Sequence, residues 1–290
     1  MRPRIKLVDA TLRDGEQAPG LAFSTKTRVF LGALLSRAGI YQLEVGCPVM
    51  GPAEIESIKA IKQSTGSTRV SAWNRVRIDD VLASLKSGVD VAHLCAPIRE
   101  SHLVKKLGQS WATLSQELKA CLDLVRGAGL LASVGLEDVS RASSDELVRA
   151  ADLLDSLNVK LVRLSDTVGV LTPSRTKSLV SYFKGRGFTV EFHGHNDLGL
   201  AYANSLIAAL SGAELLDVTV AGVGERAGNC SLAKLIALGA SWLDFDVSLE
   251  SALELEAETE ALFNRRAYIL DLLNAKTAVE TFLKNDARSV

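Results

Sequence analysis

The stretch Phe188-Thr189-Val190-Glu191-Phe192-His193-Gly194-His195-Asn196-Asp197 contains a short apolar strand pattern that ends in two histidines. Side chains two residues apart in a strand point to the same face, so His193 and His195 are expected to place two imidazoles side by side. Neutral imidazole is a common metal ligand. The chain has only four histidines, and two of them lie here. We therefore interpret this strand end as part of a metal site whose other ligands lie elsewhere in the chain.

Short apolar strands alternate with longer helical patterns along most of the chain. We predict strands at residues 5–9, 41–45, 69–73, 90–95, 130–136, 160–164, 188–192 and 215–220, each followed by a helix. About eight such units are typical of a closed (β/α)8 barrel, the TIM barrel of the α/β class. A doubly wound open sheet also alternates strands and helices. The count of eight and the lack of a Gly-x-Gly-x-x-Gly turn after the first strand favour the barrel.

The alternation stops after Gly239. Residues 246–263 and 265–283 both have helical patterns, with no strand between them. We therefore predict a TIM-barrel catalytic domain at residues 1–243 and a helical C-terminal extension at residues 244–290. Its apolar positions are expected to pack on the barrel or on another subunit.

Composition excludes several classes of protein. The 33 basic and 34 acidic residues nearly cancel, no block of like charge occurs, and aromatic residues make up only 5%. These features argue against nucleic-acid binding. The sequence has no apolar run of the ~20 residues that span a bilayer and no secretory signal, so we expect no membrane partner and a cytoplasmic location. The four cysteines, Cys47, Cys95, Cys121 and Cys230, are too widely spaced to indicate disulfides or structural zinc.

The strands of a TIM barrel direct their carboxyl ends to one common mouth. Several predicted strands end in carboxylates, which need partners if they are buried, and their convergence suggests a shared cation. We predict that Asp14, His193 and His195 bind this cation, with Asn229 from the glycine-rich loop 222–229 as the fourth ligand. Two nitrogen and two oxygen ligands with room for water fit Mg²⁺, Mn²⁺ or Zn²⁺ better than a closed structural zinc site.

Three segments carry a family resemblance. Residues 9–17 (DATLRDGEQ), 193–199 (HGHNDLG) and 224–229 (GERAGN) resemble the three signatures of the DRE-TIM metallolyase superfamily. Within it, the chain resembles the branch of homocitrate, 2-isopropylmalate and citramalate synthases. Residues 16–20, 135–142 and 198–204 are most similar to bacterial homocitrate synthases linked to nitrogen fixation. The resemblance extends over residues 5–239, essentially the whole predicted barrel.

The resemblance implies an acyltransferase that condenses acetyl-CoA with a 2-oxo acid in a Claisen-type reaction, with 2-oxoglutarate favoured. It implies the same divalent metal ligands, and acetyl-CoA as co-substrate. Arg13 would add positive charge at the reacting keto oxygen, Glu137 would lie near the acetyl methyl group, and Thr167 would bind the acid's carboxylate. Glu191 would orient a metal ligand from the second layer. The remaining substrate contacts and specificity positions implied are Gln17, Glu44, Trp73, Arg75, Cys95 and His102.

Two other functions are consistent with the same motifs. One is a metal-dependent lyase or aldolase of the same superfamily, although the loop 222–228 lacks the cysteine of the hydroxymethylglutaryl-CoA lyases. The other is a barrel subunit that works only with a partner chain, since His195 is the last histidine and family synthases carry a catalytic histidine after the barrel. We expect a homodimer by resemblance, or a hetero-oligomer if a partner supplies that segment.

Overall fold

The computed structural model of the protein describes residues 2–105 and 107–263. Within these residues, eight parallel strands close a barrel whose strand order follows the chain. Strand β1 closes it by pairing with β8 on one side and with β2 on the other. The predicted (β/α)8 fold is therefore confirmed. The barrel strands are β1 (Arg4–Asp9), β2 (Gln42–Glu44), β3 (Arg69–Arg75), β4 (Val91–Pro97), β5 (Leu131–Glu137), β6 (Leu161–Asp166), β7 (Thr189–Gly194) and β8 (Leu215–Val218).

Helices form the outer layer of the barrel. Their ends follow local sequence signals: Ser143 and Glu146 form a capping box at the start of α6, and Gly88 ends α3 at a φ of 73°. Helix α4 is too short for its apolar pattern to predict it. The helices are α1 (Thr25–Arg37), α2 (Pro52–Ser64), α3 (Ile78–Ser87), α4 (Glu100–Lys105), α5 (Trp111–Gly127), α6 (Ser144–Ser156), α7 (Pro173–Gly185), α8 (Ala201–Leu210), α9 (Leu232–Gly239) and α10 (Leu249–Phe263).

The chain after α9 is attached to the barrel at two places. A short strand, β9 (Asp244–Phe245), pairs with the amino-terminal end of β1, an element that the sequence pattern does not predict. Helix α10 packs on α9 and α1, and buries Ala252 and Leu255. The first helical run of the extension thus packs on the barrel. The second predicted run, at 265–283, lies outside the described residues, and the domain boundary after residue 243 stays a prediction.

The barrel interior contains a charged layer just below the mouth. The interior of a TIM barrel is usually filled by Val, Ile and Leu. Here Arg163, which is only 1% exposed, contacts Glu44 of β2, Glu191 of β7 and Asp217 of β8, at 2.7, 2.5 and 3.3 Å. This layer forms the base on which the residues of the mouth rest.

No helix among the described residues combines the length and the apolar character needed to cross a bilayer.

Candidate metal centre and active-site cavity

Three of the predicted metal ligands meet at the carboxyl ends of β1 and β7. The Nε2 atoms of His193 and His195 lie 3.3 Å apart, and they lie 3.5 and 3.8 Å from Oδ2 of Asp14. All three side chains are buried. One donor atom from each lies within 4.8 Å of the others, which is close enough for all three to bind one ion.

Asn229 joins this group through the loop that follows β8. Its Nδ2 donates hydrogen bonds to Oδ1 of Asp14 at 2.8 Å and to the carbonyl of Val223 at 3.1 Å. The Oδ1 atom is buried, and no donor among the described residues reaches it. A buried acceptor without a partner costs free energy, and a bound cation would remove that cost. The donor set and this carbonyl therefore fit the predicted divalent metal.

The protonation states also suit a cation. Burial lowers the pKa of His193 and of His195 to about 4, so both rings are neutral at pH 7. Burial, the largest single effect, would raise the pKa of Asp14, but Arg13, the two histidines and the hydrogen bond from Asn229 together bring it to about 2. Nδ1 of His193 lies 2.9 Å from Oδ2 of Asp217, where it donates its proton. The Nε2 lone pair of His193 therefore faces the Asp14 carboxylate, an arrangement of two acceptors that a metal ion stabilises.

Below the site, negatively charged carboxylates outnumber the arginines. Burial raises the pKa of Glu191 well above its usual value and so favours its protonated form, and the neighbouring Asp217 carboxylate acts in the same direction. The charged carboxylates of Asp14, Glu44 and Asp217 remain against two cations, Arg13 and Arg163. Buried charge of one sign needs a partner. The surplus negative charge favours a cation at the mouth.

Glu191 lies one layer further from the metal ligands than expected. Its carboxyl accepts a hydrogen bond from Nε of Arg163 and does not touch a histidine directly. Asp217 is the carboxylate that orients His193, and Glu191 acts through Asp217. In a strand, Glu191 lies two residues, about 6.6 Å, below His193. Asp217 on the neighbouring strand β8 lies at the level of the ring.

The expected contact of Glu44 with substrate is also corrected. Its side chain is fully buried beneath the cavity, where it binds Nε of Arg13 at 2.5 Å and Arg163 at 2.7 Å. Burial would raise its pKa, but the two arginines hold it well below the usual range. Glu44 therefore fixes Arg13, whose Nη1 also binds Asp14 at 2.7 Å.

A cavity of about 480 Å³ opens over these ligands. The predicted positions Arg13, Gln17, Trp73, Arg75, Cys95, His102, Glu137 and Thr167 all line it. Cys47 also reaches its wall, whereas Cys121 and Cys230 are buried in the core. The structure thus brings most of the predicted substrate contacts to one space beside the metal ligands.

Two residues of the wall have contacts that define their chemistry. Oε1 of Glu137 lies 3.5 Å from Nδ1 of His102 in α4, so a carboxylate and an imidazole are in contact at the cavity wall. The hydroxyl of Thr167 accepts a hydrogen bond from the amide of Asp138 at 2.8 Å, which leaves its own proton to donate. Arg75 is held by both carboxylate oxygens of Asp80, at 2.9 and 3.0 Å.

Several residues of the site are not predicted from the sequence. Four of them line the cavity, Arg163, His93, Gln109 and Glu225, and the fifth, Asp217, lies beneath it. A signal exists for two of them. Arg163 and Asp217 each interrupt a strand whose other residues are apolar, at Leu161-Val162-Arg163-Leu164 and Leu215-Leu216-Asp217-Val218. A charge within such a strand requires a buried partner. Glu225 lies 3.4 Å from Nε2 of His195 and belongs to the motif at residues 224–229, but the motif alone does not indicate its role.

Comparisons with known proteins bear on the whole barrel. Residues 4–257 match the family described as HMGL-like. The chain is 36% identical over 233 residues to the homocitrate synthase subunit alpha of Clostridium pasteurianum, covering 80% of this chain and 87% of that protein. It is 35% identical over 233 residues to 2-isopropylmalate synthase 2 of Caldanaerobacter subterraneus, covering 80% of this chain but only 61% of that longer protein.

A solved structure shows the same fold. Hydroxymethylglutaryl-CoA lyase from Pseudomonas aeruginosa superposes with a TM-score of 0.81 at 21% identity, covering 94% of this chain and 99% of that one. This likeness concerns the fold alone. The family match extends over the barrel and all four predicted metal ligands, and the chain belongs to the HMGL-like family of DRE-TIM proteins.

Proposed function

We propose that this protein is a metal-dependent acyltransferase that condenses acetyl-CoA with a 2-oxo acid, with Asp14, His193, His195 and Asn229 as the metal ligands. The observation that carries the proposal is the meeting of Asp14, His193 and His195 with Arg13 and Glu137 at one cavity. The similarity to synthases of homocitrate and 2-isopropylmalate supports the reaction class. A divalent cation held here would polarise the keto group of the acid as a Lewis acid.

Arg13 is placed to stabilise the charge that forms on the keto oxygen. Its guanidinium is anchored by Asp14 and Glu44 on one side and lines the cavity on the other. A fixed cation costs little reorganisation when an alkoxide develops beside it. The hydroxyl proton of Thr167, directed by its bond from Asp138, would bind the carboxylate of the acid.

Glu137 is our candidate for the base that removes a proton from the acetyl methyl group. The resulting enolate carbon would attack the keto carbon, forming the new carbon–carbon bond as the keto oxygen takes the electron pair. His102, 3.5 Å from Glu137, would hold the carboxylate in place and share its proton. The alkoxide would take up the proton that Glu137 removed, and water would then cleave the thioester to give the carboxylic acid and the thiol of CoA.

We propose 2-oxoglutarate as the favoured acid. Arg77 lines the cavity and would add positive charge for a second carboxylate, whereas the charge of Arg75 is already paired with Asp80. Guanidinium groups bind carboxylates with two parallel hydrogen bonds. Acids with a branched apolar end, as the name of the Caldanaerobacter relative suggests, are the nearest competitors.

The proposal is tested by thiol release from acetyl-CoA with 2-oxoglutarate, 2-oxoisovalerate and pyruvate, each with Mg²⁺ or Mn²⁺. We expect metal-dependent release that is fastest with 2-oxoglutarate and is lost in His193→Ala. Release that is fastest with another acid would correct the substrate and keep the reaction. No release with any acid, together with cleavage of a 3-hydroxyacyl-CoA, would replace the synthase with a lyase.

A second proposal concerns assembly. The Clostridium relative is by its name one subunit of a homocitrate synthase, and this chain covers 87% of it. We propose a hetero-oligomer as the alternative to a homodimer. Binding of a 2-oxo acid without thiol release, followed by release once a co-purifying chain is added, would support it. The cytoplasmic location stays a prediction.

A further inference from the structure

The turn that leads to the metal-binding loop is strained. In the short helical turn Val220–Gly222 after β8, Ala221 has a φ of 54° and Gly222 a φ of 68°. Glycine adopts this left-handed region freely, whereas alanine is strained there because its Cβ approaches the following carbonyl oxygen. A conformation of this kind persists only where neighbouring contacts hold it.

This turn is bonded directly to Asn229. The amide of Asn229 donates to the carbonyl of Gly222 at 3.0 Å, and the amide of Thr219 donates to the carbonyl of Cys230 at 3.0 Å. A side chain on Gly228 would collide with the Gly222 carbonyl, since a Cβ there would lie only 2.1 Å from the oxygen. The position of the Asn229 carboxamide beside Asp14 therefore depends on the conformation of the turn.

Glu256 of α10 reaches this turn from the C-terminal extension. Its Oε1 accepts a hydrogen bond from the amide of Ala221 at 3.1 Å, across 35 residues of chain. The side chain is only 2% exposed. Burial raises its pKa to about 7, and the opposing effect of the Ala221 and Ala233 amides and the Ser231 hydroxyl is smaller. A buried carboxyl costs free energy unless its contacts offset it.

We propose that Glu256 is a positioning residue for the metal site, which holds the turn 220–222 and through it the ligand Asn229. Helix α10 thereby takes part in metal binding, although none of its described side chains lines the cavity. The proposal rests on the proposed metal site. It goes beyond that site because it makes the extension a determinant of metal affinity.

The test is Mn²⁺ binding to the full chain, measured by EPR titration in the absence of substrates. In Glu256→Met, which keeps the side-chain length and removes the acceptor, we expect Mn²⁺ affinity to fall about tenfold and the spectrum of bound Mn²⁺ to change. Glu256→Gln keeps a carbonyl for Ala221 and should stay within about twofold of wild type. Thr259→Ala is the matched control on α10, since among the described residues the Thr259 hydroxyl bonds to its own helix, at Leu255 and Glu256.

The possible results separate the positioning role of Glu256 from the metal site itself. Unchanged affinity in folded Glu256→Met, or an equal loss in Thr259→Ala, would overturn the positioning role and leave the metal site standing. If Glu256→Met does not fold, a tenfold loss in Glu256→Gln would still contradict a role based on the Ala221 hydrogen bond. No Mn²⁺ binding by the wild-type chain would overturn the proposed metal site itself.

Discussion

Nδ1 of His193 lies 2.9 Å from Oδ2 of Asp217, a carboxylate on the neighbouring strand β8. This contact decides which ring nitrogen carries the proton and directs the Nε2 lone pair towards Asp14, 3.5 Å away. Asp217 is held in turn by Arg163 at 3.3 Å and by a side-chain hydrogen bond with Glu191. The metal site thus rests on a buried network, and its properties should change when that network is altered.

Asp217→Asn is expected to weaken metal binding by about 10- to 100-fold, because the amide cannot accept the His193 proton with the same strength. Isothermal titration with Mn²⁺ measures the effect. Glu191→Gln is the matched control, since the amide can accept from Arg163 and donate to Asp217 as the protonated carboxyl does. Equal losses in both variants would contradict the distinct roles given to the two carboxyls.

Glu137→Gln is expected to lower kcat by about 10²- to 10⁴-fold, the range found when a general base is removed. Metal content should not change, because Glu137 is not one of the four ligands. Exchange of acetyl-CoA methyl protons with D₂O reports the proton-transfer step and should fall in parallel. Retained exchange in this variant would move the base to another residue, and Glu225, which also lines the cavity, would be tested next.

Asp9 gives a pH-dependent prediction. Burial raises its pKa to about 7, although the amide and hydroxyl of Thr11 act to lower it. The folded chain therefore keeps this proton where the unfolded chain, with a pKa near 3.8, has lost it. The stability from the neutral carboxyl is complete below pH ~4 and is lost as the pH rises through about 7.

Urea unfolding of metal-free wild type and Asp9→Asn at several pH values tests whether this contribution to stability falls as the pH rises. The free energy of unfolding of wild type, relative to the variant, should fall by up to roughly 4 kcal/mol between pH ~4 and ~8. The difference between wild type and variant removes the contributions of the other titrating groups, including the buried histidines, to the free energy of unfolding. A difference that stays flat, or that rises with pH, would contradict the raised pKa.

The barrel and the metal ligands are predictable because their signals are local. Short, mostly apolar segments alternate with helical patterns, and Asp14, His193 and His195 lie at or shortly after the ends of two of those segments. The carboxyl ends of parallel strands converge in any TIM barrel, so residues far apart in sequence can be grouped without knowing a distance.

The network below the mouth is less predictable. Its pairing depends on the stagger of neighbouring strands, which places Asp217 rather than Glu191 against His193. The same holds for Glu44, whose strand β2 is only three residues long and turns its carboxylate inward to Arg163. Contacts from the extension, such as Glu256 with Ala221, join elements that no sequence motif connects.

The central claim is that Asp14, His193, His195 and Asn229 hold one divalent cation at the barrel mouth. Its most direct test is the Mn²⁺ stoichiometry of wild type, His193→Ala and Asp14→Asn by EPR titration, with circular dichroism to verify the fold. We expect one tightly bound Mn²⁺ per wild-type chain and none in either folded variant. Unchanged stoichiometry in both variants would contradict this claim.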